Sequence, residues 1–199
     1  MHAFPRNFDR RQLLILCFFF EGGLLLFALA MGAAFDRPIL AGSHLIWAGL
    51  WWGVVSCVPL IGGLIFLLNS SAAHLVKLGQ LIDQVVKHLF AHSRTFDIAV
   101  ISILAGVGEE ALFRGFMQTV LADSWGLIFA VFTTSIVFGL AHFLSLTYAL
   151  YAGLMSIYLG LLLLVFDNIY VPMVTHAVYD FVALFYFRRR AVPLISDSQ

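Results

Sequence analysis

Long apolar stretches alternate with short polar breaks along most of the chain. The apolar stretches run through Leu13–Met31, Leu45–Leu68, Ile98–Leu121, Leu127–Leu146, Tyr148–Phe166 and Ile169–Phe187. Each approaches the roughly 20 residues that a helix needs to cross the hydrocarbon core of a bilayer. Polar or turn-forming residues separate several of them, at Asp36-Arg37-Pro38, Asp123-Ser124 and Asp167-Asn168. The pattern predicts an all-α, polytopic transmembrane helix bundle of about six spans. It forms a single membrane domain over residues 1–199, without internal repeats or low-complexity segments.

Ser71–His92 follows another rhythm. Leu75, Leu78, Ile82, Val85 and Leu89 recur every three or four residues, while Lys77, Gln80, Gln84, Lys87 and His88 fill the positions between. This is the period of an amphipathic helix with a basic polar face, too polar to span. It is expected to lie on the membrane surface; docking against the cytosolic end of the bundle is the alternative.

Composition strengthens the membrane reading. Apolar residues make up 62% of the 199 and charged residues only 11%, too few polar side chains to cover a globule in water. A formal net charge of zero argues against nucleic acid as a partner. Cys17 and Cys57 both sit in apolar runs, where a thiol behaves as a small hydrophobe, so neither a disulfide nor a cysteine metal site is indicated. Arg6, Arg10 and Arg11 before an apolar run ending near Ala28-Leu29-Ala30 look like a secretory signal, but Glu21 interrupts the run and further spans follow. The run is expected to be the first anchor.

Charge also sets an orientation. Nine of the eleven basic residues (Arg6, Arg10, Arg11, Lys77, Lys87, Arg94, Arg188, Arg189 and Arg190) fall on one side of a six-span bundle. Both termini and the amphipathic helix share that side, and the opposite loops hold Arg37, Asp36, Asp123 and Asp167. Because basic residues concentrate in cytoplasmic loops, both ends are expected to be cytoplasmic.

The eleventh basic residue, Arg114, lies inside a span, and ionisable groups at membrane depth are functional candidates by default. Its span reads Gly108-Glu109-Glu110-Ala111-Leu112-Phe113-Arg114, with two of the three glutamates in the chain side by side. Glu110 and Arg114 are one turn apart and can pair. Glu109 projects about 100° away and has no local partner. A carboxylate with no partner in a low-dielectric site is suited to take a proton from water. The next span carries Phe138-Gly139-Leu140-Ala141-His142, and the last carries His176 one turn before Asp180, after Pro172. Burial cost drives Glu109, His142, His176 and Asp180 towards one another rather than towards lipid.

Glu-Glu-x-x-x-Arg, Phe-x-x-x-His and His-x-x-x-Asn/Asp, in this order on successive spans, resemble the intramembrane peptidases of the CAAX protease and bacteriocin-processing family, such as the type II CAAX prenyl protease. The resemblance covers Ile98–Phe187, the catalytic core spans; the N-terminal spans, residues 13–68, carry no motif. It implies an endopeptidase in which Glu109 activates water with the help of His142, while His176 and the residue at Asp180 stabilise the tetrahedral oxyanion. Glu110, Arg114 and Phe138 would be supporting residues. The expected partners are the lipid bilayer and a peptide or protein substrate, membrane-anchored or prenylated. Where the family often has Asn, this chain has Asp180, and an ionised Asp accepts hydrogen bonds but does not donate.

A cofactor is not fixed by the sequence. Glu109, His142 and His176 are ligand types for a divalent metal such as zinc, although His-Glu-x-x-His is absent. A proton-coupled transporter and a catalytically silent immunity or assembly factor on the same scaffold are the alternative functions. The first would usually show paired repeats with broken helices, the second a lost motif residue. Depth is a further constraint. At about 1.5 Å per residue Glu109 lies roughly 16 Å from the cytosolic end, with His142 shallower and His176 deeper on straight helices. A kink at Pro172 is one way to bring them level.

Overall fold

The computed structural model describes residues 9–37, 39–40 and 46–191. Among the described residues ten helical segments follow one another, with no strand. They are α1 (Arg10–Ala34), α2 (Ile46–Val55), α3 (Val58–Asn69), α4 (Ala73–Phe90), α5 (Thr95–Glu110), a π-helical segment (Ala111–Gln118), α6 (Thr119–Trp125), α7 (Leu127–Ala141), α8 (Leu146–Phe166) and α9 (Tyr170–Ala191). Arg10–Ala34, Ile46–Asn69, Leu146–Phe166 and Tyr170–Arg190 are long and apolar enough to cross a membrane, and Leu127–Ala141 is a shorter apolar helix. Phe19 is 72% and Trp47 82% exposed, while Glu110 and Arg114 are sealed inside. Apolar outside and charged inside is the arrangement of a protein dissolved in lipid.

Boundaries depart from the predicted spans for local reasons. α1 starts before Leu13 because Asp9 caps it: its carboxylate accepts from Gln12 N at 2.8 Å, and Gln12 Oε1 accepts from Asp9 N at 3.2 Å. The second span breaks into α2 and α3 at Ser56-Cys57, with Pro59 in the opening turn of α3. Tyr158 Oη donates to Ser56 O at 2.8 Å, so one carbonyl at the break keeps a partner. Leu127–Leu146 is too long by several residues. α7 ends at Ala141, and the chain turns through His142 before Ser145 Oγ caps α8 by accepting from Tyr148 N at 3.2 Å. Pro172 falls in the first turn of α9, where its missing N–H would be unbonded in any case, so no kink is required there.

α5 is the inner helix, packed between α1 and α9, with α7 and α8 paired beside its π-helical continuation. Gly108 makes the α1–α5 contact close: a Cβ on it would lie 2.5 Å from Glu21 O. α4 packs against the bundle along its apolar face. Leu78, Val86 and Phe90 are buried against a core shared with α3, α5 and α9, while Lys77 and Lys87 stay exposed.

Candidate active site

Glu109 and Glu110 close α5, and the helix then widens into the π-helical segment. Such segments are rare and recur at functional sites, because an extra residue per turn re-aims the side chains around it. Both glutamates point inward, Glu110 fully buried and Glu109 at 8% exposure. Their partners differ.

Glu110 Oε1 accepts from Arg114 Nη1 at 3.0 Å and lies 2.8 Å from His176 Nδ1. Arg114 Nη2 also donates to Ser156 O at 2.8 Å and to Ser156 Oγ at 2.9 Å, and its guanidinium sits 5.2 Å from the centre of the Phe138 ring. A buried cation is tolerable only when neutralised and hydrogen-bonded, and these contacts supply both. The predicted Glu110–Arg114 pair is present, and it also fixes one side of His176.

Glu109 is not in that network. Its Oε2 has no hydrogen-bond partner among the described residues and stands 3.8 Å from His142 Nε2, beyond direct bonding distance. His142 lies just past the end of α7, with its ring stacked on Phe138 at 4.3 Å between centroids. Its Nδ1 is 2.9 Å from Phe138 O. A carbonyl only accepts, so Nδ1 carries the proton and a neutral His142 presents a bare Nε2 towards Glu109. Two acceptors therefore face each other across a short gap.

His176 and Asp180 complete the group. Asp180 Oδ2 is 3.5 Å from His176 Nε2, so both ring nitrogens face carboxylates. Glu109, Phe138, His142, His176 and Asp180 line one cavity of about 230 Å³. From this polar end the cavity runs along an apolar wall that includes Ile82, Val86 and Phe90 of α4 and Phe187 of α9. The unequal depths expected on straight helices do not keep the three motifs apart.

Three participants were missed in the sequence. Glu21 of α1 was read only as an interruption of an apolar run. It is buried at 9% exposure, its Oε2 has no hydrogen-bond partner among the described residues, and it interacts with His176 and Asp180. All three glutamates of the chain thus gather here. The signal was available: an ionisable group at membrane depth. Ser156, which holds Arg114, and Tyr148, which lines the cavity, both stand on α8 and carry no such signal among so many apolar neighbours.

The metal option does not fit this arrangement. Among the described residues no three His, Cys, Asp or Glu side chains are placed to hold one ion. His176 has both nitrogens turned to Glu110 and Asp180 rather than to a point shared with Glu109 and His142.

The fold is a helical bundle with a carboxylate–imidazole site at one end of a cavity, and the part of the chain that carries the site is similar to a known family. Residues 91–182 match the family model of type II CAAX prenyl endopeptidase Rce1-like proteins, as the three motifs had suggested. The matched region contains Glu109, Glu110, Arg114, Phe138, His142, His176 and Asp180. No curated protein and no solved structure matches the chain.

Proposed function

We propose that this protein is an intramembrane endopeptidase in which Glu109 and His142 activate the attacking water. One observation carries the reading: Glu109 Oε2 and the bare Nε2 of His142 face each other at 3.8 Å on the cavity wall. A water molecule has two hydrogens to donate, and two converging acceptors orient it with its lone pairs towards a substrate carbonyl. Glu109 takes one proton as the oxygen attacks, and the new C–O bond pushes the carbonyl π electrons onto oxygen. Glu109 then returns that proton to the leaving nitrogen as the C–N bond breaks. Glu110 and Arg114 stay out of the proton traffic and hold His176 at the edge of the reacting atoms.

The family match and the shape of the cavity support a reading of the substrate. It is a peptide, and the long apolar wall beyond the polar end favours one that carries a prenyl group or membrane anchor. The spans number about six, with the cavity open towards a cytoplasmic side that also carries both termini.

The test uses the full chain in liposomes. It is given an internally quenched peptide ending in an S-farnesylated CAAX box, and the same peptide without the lipid. The wild type should cleave the first faster than the second. Glu109→Gln keeps the shape and removes the base, so cleavage should fall by about 100-fold or more, with an unchanged melting temperature. Cleavage by Glu109→Gln at the wild-type rate ends the assignment.

A further inference from the structure

We infer that Tyr148 is a catalytic residue whose phenolic O–H donates a hydrogen bond to the tetrahedral oxyanion, an inference that rests on the endopeptidase reading. It starts from a deficit of donors. Hydrolysis places negative charge on the former carbonyl oxygen, and a donor aimed at that atom is among the strongest contributions a site can make. Where an Asn amide could donate, this chain has Asp180, and a carboxylate there would repel the oxyanion.

The other polar groups on the cavity wall are Glu109, His142, Tyr148, Tyr151, His176 and Tyr179. Glu109 is the base. The His142 proton is directed at Phe138 O, and His176 faces Glu110 and Asp180 through its two nitrogens. Tyr151 and Tyr179 are joined to each other, with their hydroxyl oxygens 2.7 Å apart. Among the described residues the Tyr148 phenol has no such hydrogen bond: only its backbone N–H is used, in the cap with Ser145.

Position agrees with inventory. The Tyr148 ring lies 6.5 Å from the His142 ring and tilted to it, and Tyr148 interacts electrostatically with both Glu109 and Asp180. It stands in the first turn of α8, where the cap fixes its backbone. A donor on a fixed helical turn needs little reorganisation as charge develops. In the reaction the Tyr148 proton is not transferred. The hydroxyl binds the oxygen while the C–O bond forms, and releases it when the lone pair returns to rebuild the carbonyl and expel the amine.

The experiment compares wild type, Glu109→Gln, Tyr148→Phe, Asp180→Asn and the Tyr148→Phe/Asp180→Asn double variant, all full-length in liposomes with the farnesylated peptide. Tyr148→Phe should lower kcat by about 100-fold with little change in KM, as for loss of one oxyanion donor. Adding Asp180→Asn puts a donor amide on the same wall and should recover at least about tenfold of that loss. Packing alone would not produce the recovery, since the second substitution returns nothing to the ring. Tyr148→Phe at the wild-type kcat, or a double variant no faster than Tyr148→Phe, overturns the inference. In either case inactive Glu109→Gln leaves the endopeptidase reading standing. Active Glu109→Gln, or a wild type that cleaves neither peptide, overturns that reading and this inference with it.

Discussion

Glu109 and Glu110 are chain neighbours with different surroundings, and the roles proposed for them follow from that difference. Glu110 has two nitrogen-bearing partners within 3.0 Å, and Arg114 draws on the same carboxylate and on Ser156. Removing one partner of such a cluster leaves a charge stranded in low dielectric. Glu110→Gln is therefore expected to destabilise the fold by on the order of 3 kcal/mol and to lower abundance in the membrane as well as activity. Thermal unfolding in detergent, read beside Glu109→Gln, separates the two residues. Equal melting temperatures for both variants would contradict the division of labour. Glu110→Gln combined with Arg114→Met, which removes the stranded charge, should regain part of the lost stability.

Among the helices, the sequence disclosed which segments are apolar more faithfully than where they stop. Hydropathy integrates over some twenty residues, so it reports six apolar stretches and is blind to single hydrogen bonds at their ends. The break between α2 and α3, the end of α7 at Ala141 and the widened turn after Glu110 arise from caps, a proline and helix pitch. None of these alters mean hydropathy. The motif residues were legible because charge in an apolar run is conspicuous, whereas Tyr148 resembles any aromatic at a helix end. Gly108 shows what an element contact demands. A methyl group there would sit 2.5 Å from Glu21 O, a backbone atom that cannot rotate away. Gly108→Ala should force α1 from α5, lower the melting temperature, and reduce turnover by displacing both Glu21 and the adjacent Glu109. By contrast Gly79→Ala on α4, where the added methyl meets nothing within 4 Å, should leave turnover unchanged and raise the melting temperature slightly, since alanine is the better helix former. A Gly108→Ala protein with wild-type stability would show that α1 does not press on the site.

Across the whole molecule, the two ends of the bundle carry different chemistry. At one end Arg10 makes two 2.6 Å hydrogen bonds to Asp97, and Arg188 donates to Ser93 O and to Thr95 Oγ1. These contacts gather the start of α1, the start of α5 and the end of α9. At the other end Arg37, after α1, pairs with Asp123 at the end of α6. A continuous helical path from α5 through α6 joins the first group to the second, so the pairs lie on opposite sides of whatever layer the bundle occupies. On the six-span reading nine basic residues fall on the first side, and the positive-inside bias underlies the proposal that this side is cytoplasmic. Reporter fusions after Asp36, Asp123 and Asp167 should accordingly report an outside location, and a fusion after Gln199 an inside one. The Arg37–Asp123 pair ties two of these sites together, so a result that puts Asp36 and Asp123 on different sides contradicts the packing itself. Asp36, Asp123 and Asp167 all inside, with Gln199 outside, would leave the packing intact and invert the bundle. The cavity would then face away from the cytoplasm, and a cytoplasmic prenylated substrate would be excluded.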